Sequence, residues 1–235
     1  MLLTSSLAPA MLAAMNSFHS EYWMRFASFT ALLLFWVLPL HACEFSASIE
    51  PDCAEELEEE LEAPLKLQRS TNLLHLPTRQ QALAFPVVPS RRTDEYTKPY
   101  VVAYFKEVQL AVVWVFETKG RSVYLVHLHS GEQTQVNGFP LLSPDRKRLL
   151  VYSEATTDKD NAKLLAIYRL TKQGKLTPEL ALSGDDNRLQ PWNPVDVAWQ
   201  SPTKVRFVRL YHSAGQQQQQ HHVLEFSERQ WRLVQ

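Results

Sequence analysis

The sequence predicts an all-β fold of repeated antiparallel hairpin units, arranged as a propeller-like open stack or a β-sandwich and preceded by a short acidic helix. Two observations carry this. From residue 100 onward, short runs of β-branched, aromatic or alternating residues follow one another with no helical periodicity between them. Their internal spacing also repeats: the strong strands begin near Val108, Arg148 and Val205 and their partners near Val123, Leu165 and Val223, at offsets of 15, 17 and 18. Composition agrees, since 45% apolar, 11% aromatic and 21% charged residues are values of a globular chain rather than a disordered one.

Taken in order, residues 1–23 carry no recognisable organisation, and the expectation is that translation begins at Met24, leaving 1–23 as an untranslated or non-native extension. Residues 24–42 then read as a secretory signal peptide: Arg25, an apolar run ending near Leu40, and small Ala42 before Cys43. The run is short for a helix that must cross roughly 30 Å of hydrocarbon. An exported protein of a bacterial periplasm or envelope is the implied localisation, and no Asn-X-Ser/Thr sequon points to a glycosylated surface.

Export sets the reading of the two cysteines. Cys43 and Cys53 suggest a disulfide in an oxidising compartment, closing a loop for about 2 to 3 kcal/mol in the chain-entropy model. The alternative is lipidation of Cys43, because Leu40-His41-Ala42-Cys43 looks like a lipobox, with His41 departing from the usual small or aliphatic residue. A membrane contact would arise only through that anchor.

Residues 43–81 form an acidic arm and linker. Nine acids and no Lys or Arg lie between Cys43 and Leu65, whereas Lys66 onward holds 23 basic against 15 acidic residues. Residues 54–61, AEELEEEL, suit a short helix with Asp52 as N-cap, stopping before Pro64 and presenting a solvated acidic face. Residues 66–99, with four prolines, read as a packed connector in which 83–88 form one strand confined to a sheet edge by Pro86.

The β-rich domain, residues 82–235, carries strands over 101–105, 108–116, 122–129, 148–153, 164–170, 176–182, 195–199, 205–211, 223–227 and 230–234. Residues 216–220, five glutamines, read as a polar loop tip. In the stretch FPLLSPDRKRLLVYS, residues 139–153, Pro144 presets a turn and Asp145 can bond its own backbone. Ser143-Pro144-Asp145-Arg146-Lys147-Arg148-Leu149 resembles the Ser-Pro-Asp-Gly-Lys turn-and-strand motif of TolB-like β-propeller repeats, with Arg146 standing where that family has Gly. Trp199-Gln200-Ser201-Pro202-Thr203 resembles a decayed copy, and the resemblance implies blades of antiparallel sheet.

No nucleophile elbow, His-Glu-x-x-His, Cys-x-x-Cys or phosphate loop is present, so no catalytic, cofactor or metal residue is assigned. His127 and His129 alternate in a strand and could share a metal with His212, His221 or His222, but an ordinary polar strand explains them better. Trp114 and Trp199 sit in apolar strands and belong to the core, whereas Trp192 is expected to be exposed in a loop, forming a binding surface with Arg188 and Asp196. Nucleic acid is excluded as a partner by a pI near 6.7 and the lack of a binding motif. The expected function is a non-enzymatic binding or interaction module whose partner is a protein or envelope component. An inhibitor or immunity role, or a hydrolase with an unrecognised site, is the alternative.

Overall fold

The computed structural model describes residues 43, 49–88, 96–153, 163–183, 192–213 and 215–234. The signal-like segment 24–42, residues 1–23 and Arg188 lie outside the described residues. Among the described residues the protein is mainly β, with one α-helix and four antiparallel sheets.

Helix α1 spans Pro51–Leu65, longer at both ends than the pattern of acids and leucines suggests. The N-cap position is Glu50, without a side-chain cap bond; Pro51 occupies the first turn with Asp52 beside it, which corrects Asp52 as the cap. Pro64 lies inside the final turn, where little helix remains to be disrupted, and the chain leaves through Lys66 in the left-handed region. Cys43 is bonded to Cys53 at the start of α1, with Cα atoms 5.4 Å apart. Disulfide and lipid anchor compete for one sulfur, and the structure has it in the disulfide.

The connector supplies a whole sheet rather than one strand. β1 (Gln68–Arg69), β2 (Leu73–Pro77) and β3 (Ala82–Pro86) form the first sheet, with Pro86 ending an edge strand. The boundary drawn at 81/82 thus falls between two paired strands. Three four-stranded sheets follow. β4 (Thr97–Phe105), β5 (Leu110–Glu117), β6 (Gly120–His127) and β7 (Gln133–Val136) make the second. β8 (Phe139–Leu142), β9 (Arg148–Tyr152), β10 (Lys163–Leu170) and β11 (Leu176–Ser183) make the third. β12 (Trp192–Ser201), β13 (Lys204–Ser213), β14 (Gln216–Ser227) and β15 (Gln230–Val234) make the fourth. In each, strands adjacent in sequence are adjacent in space, the arrangement that short hairpin turns impose.

The sheets bury apolar faces against one another in chain order. Val101, Ala111 and Val113 pack on Leu74, Leu76 and Phe85 of the first sheet. On the opposite face, Val112 and Trp114 pack with Phe139, Leu149 and Val151 of the third. Leu150, between the last two, turns the other way to meet Phe207 and Leu224 of the fourth sheet. Covered on both sides, β5 and the centre of β9 read as continuous apolar runs rather than alternating ones.

The turn between β8 and β9 shows why its residues are there. Ser143 Oγ donates to Asp145 Oδ1 at 2.7 Å and accepts the Arg148 N–H at 2.9 Å, while Asp145 Oδ1 accepts the Lys147 N–H at 3.2 Å. Arg146 has φ of 61°, the left-handed conformation glycine adopts without steric cost. Ser201, the last residue of β12, stands at the turn into β13, where its Oγ accepts the Thr203 N–H at 3.2 Å.

Residues 216–220 form strand rather than a loop tip. They pair with residues 209–213 of β13 in unbroken register, because backbone groups continue a ladder whatever side chains they carry.

Candidate functional site

Among the described residues, five polar or charged side chains are buried: Glu58, His127, Ser143, Arg209 and His222. A buried polar group must be partnered or it costs stability, so what each one touches separates structural ties from features open to a partner.

Glu58 lies in the middle of the stripe Ala54, Leu61, Leu65 that α1 turns inward, so the acidic run is not wholly solvated. Its carboxylate accepts Arg69 Nε at 2.8 Å and the Val101 N–H at 2.8 Å, and Arg69 Nη2 donates to the Pro99 carbonyl at 2.7 Å. The pair covers the free edge of β4 as a neighbouring strand would. Burial raises the Glu58 pKa, and the bonds from Val101 and Arg69 only partly offset this.

His127 ends β6, and His129 lies beyond it in the following turn, so the two do not share a strand face as their alternation suggests. His127 Nδ1 lies 2.8 Å from Ser130 Oγ and accepts the Ser130 N–H at 3.2 Å, while Ser130 Oγ donates to the Gln173 carbonyl at 3.1 Å. A Cβ on Gly174 would sit 2.1 Å from His127 Cγ, so the imidazole fills the space that glycine leaves in the turn after β10. Burial, then His129, lowers the His127 pKa, against an opposing pull from Glu132. This arrangement is a joint between the second and third sheets. Among the described residues no three potential metal ligands converge.

Trp192 is 4% exposed, which corrects its reading as an exposed aromatic: it begins β12 and faces inward instead of sitting in a loop. The Arg209 guanidinium lies over its ring at 4.5 Å, and Phe207 stacks on His222 at 5.4 Å. Neither ring nitrogen of His222 has a hydrogen-bond partner, nor has Trp192 Nε1. Asp196 is exposed at a bulge of β12, with φ of 50°. Trp114 is buried as expected, and Trp199 Nε1 donates to the Leu141 carbonyl at 3.1 Å.

A second tie joins the third and fourth sheets. Glu179 accepts Arg148 Nε at 2.7 Å, Arg169 Nε at 2.7 Å and Trp231 Nε1 at 3.0 Å, while the Arg148 guanidinium lies over the Phe226 ring at 4.2 Å. Sequence reasoning missed Glu58, Arg209 and Glu179, and weighed His222 only as a metal ligand. Only Glu58 had a signal, its place in an apolar stripe at helical spacing.

These groups are absorbed in holding the sheets together, and what stays open is an edge. β15 pairs β14 only over residues 223–227, so the outer side of β14 over 216–222 has no partner among the described residues. Residues 216–221 are exposed and carry no acid, lysine or arginine. The fold and this edge define the molecule as a set of four antiparallel sheets, the last of which leaves one side of β14 open over residues 216–222.

No family model and no curated protein matches the chain. Among solved structures it is similar to the crystal structure of the N-terminal domain of Nup159, at 10% identity and a TM-score of 0.32, over 72% of this chain. The matched part is 47% of that chain, so this protein spans about half its length. At that TM-score the likeness is not evidence of a shared fold.

Proposed function

We propose that this protein is an exported, non-enzymatic binding module of a bacterial periplasm or envelope, with the stacked sheets as scaffold and the β13–β14 hairpin as binding element. The unpaired side of β14 over residues 216–222, exposed over 216–221, carries the reading, because an open edge offers backbone donors and acceptors to an extended partner. The export half rests on the signal-like residues 24–42. A propeller-like open stack is favoured over a two-sheet sandwich, since each sheet packs on the next in chain order and β5 is covered on both faces. An inhibitor or immunity role fits the same scaffold.

Cell fractionation tests the location: recovery with cytosolic markers would refute export. Affinity capture from envelope extract tests the edge, with wild type expected to retain a partner that Gln219→Pro loses. The competing reading is a hydrolase, for which the His127 to Ser130 contact of 2.8 Å is the specific observation. Turnover in a hydrolase substrate panel, abolished by His127→Ala in a folded variant, would replace the binding reading.

A further inference from the structure

The other sheet edges among the described residues are all blunted. β1 has two residues and β7 four. β3, β8, β11 and β12 contain Pro86, Pro140, Pro178 and Pro194, while β4 contains Pro99 and lies under the Glu58 and Arg69 side chains. β15 has five residues and bears Arg232. Short length, proline and charge are the devices that stop strands pairing with other chains. Residues 216–222 of β14 have none of them.

We infer that this edge pairs with the same edge of a second copy of the chain, joining two fourth sheets through an antiparallel, two-fold strand pair. The inference rests on the hairpin being the binding element. Ser227 and Gln230 flank the two-residue turn Glu228 and Arg229, both at positive φ, so they form a hydrogen-bonded pair. Counting back by twos in a register without a bulge, Gln217, Gln219 and His221 aim their backbone N–H and C=O at the open side. A two-fold centred on Gln218 sets Gln217 against the partner's Gln219 and Gln216 against the partner's Gln220.

Glutamine suits this pairing because each side-chain amide both donates and accepts, so like residues placed opposite one another satisfy each other. A glutamine run also brings no like charges together across the axis. Such a short strand pair buries less than the roughly 1,600 Å² of a standard interface, so the dissociation constant is expected above about 1 μM.

Sedimentation of the protein as isolated from its producing cells, across a concentration series, tests the inference. Wild type should pass from monomer to dimer with concentration. Gln219→Pro should remain monomeric with an unchanged melting temperature, because that N–H lies outside the β13 ladder. The double variant Gln217→Lys/Gln219→Lys keeps every backbone bond of the hairpin and should also stay monomeric. Wild type that is monomeric up to about 1 mM would overturn the inference, as would dimers that persist in a folded variant or growth into open-ended fibres. If wild type is monomeric yet Gln219→Pro still loses a captured partner, self-pairing fails and the binding reading stands.

Discussion

His222 carries two ring nitrogens into the side of β14 that also bears Leu224, with no hydrogen bond to either. Burial, then the Arg209 and His221 charges, holds its pKa below the ordinary 6.5. The imidazole is therefore neutral at pH 7 in the folded protein, and the unfolded chain binds its proton more readily. That stabilising contribution is complete above pH 6.5 and is lost as pH falls toward the folded value. His222→Leu, close to imidazole in volume, removes both orphaned nitrogens and should raise stability by about 1 kcal/mol at pH 7. Urea unfolding at pH 7 and pH 5 checks this: the variant should lose less stability than wild type between the two, and an equal loss would contradict the assignment. Gly174 poses a steric test at the His127 joint. Ala there meets the imidazole and takes a φ of 83° that side chains rarely adopt, so Gly174→Ala should cost about 2 kcal/mol or more. In Gly174→Ala/His127→Ala the overlap with the ring disappears, while the contact with the retained Cβ of residue 127 and the backbone strain remain. The double variant should thus be more stable than the two single losses summed, read in a denaturation cycle.

At the scale of elements, α1 is held as the cover of a sheet edge. Its charge and leucine spacing were legible in the sequence, and so was a helix. Its length was not, and the apolar stripe only hints at the buried acid, because the groups that Glu58 serves, Arg69 and the Val101 N–H, lie 11 and 43 residues away. The glutamine run failed in the reverse direction. Its composition argues for a loop, but ladder pairing with β13 decides the conformation once β13 is long enough to template it. The sheet made of β1, β2 and β3 stayed hidden because its strands have only two, five and five residues and its prolines imitate a linker. Glu58→Ala should cost about 2 to 3 kcal/mol, since it leaves the Val101 N–H and Arg69 without their acceptor. Glu58→Gln should cost less, because an amide oxygen still accepts from Val101 and burial already disfavours the charge. Since the Glu58 pKa is raised, its contribution is complete below pH 4.5 and declines as pH rises through the folded value. Chemical denaturation of both variants at pH 7 orders the two costs, and equal costs would show that the Val101 bond contributes little.

Across the whole molecule, the repeat could be read because each four-stranded sheet reuses one hairpin pattern and two of their turns reuse a serine that bonds the backbone beyond it. How the sheets are joined could not be read, since those contacts link residues from different repeats. The Glu179 tie is the clearest case: Trp231 reaches it from the fourth sheet, 52 residues away. Its carboxylate side chain is 8% exposed. Burial pushes its pKa up, but hydrogen bonds from Arg148, Trp231 and Arg169 outweigh that and leave it below the ordinary 4.5. The charged form is the one the folded state prefers, so this stabilisation is present above pH 4.5 and is lost as pH falls through the folded value. Glu179→Gln keeps the size and one acceptor but leaves two guanidinium groups facing an uncharged amide, one of them mostly buried on Arg148. The expected cost is about 2 kcal/mol at neutral pH, below the 3 to 5 kcal/mol of deleting a buried partner outright because Arg169 is exposed. Unfolding measured from pH 7 down to pH 3 should show the gap between wild type and Glu179→Gln narrowing below pH 4.5. A gap of constant size would mean that shape, not the carboxylate charge, holds the third sheet to the fourth.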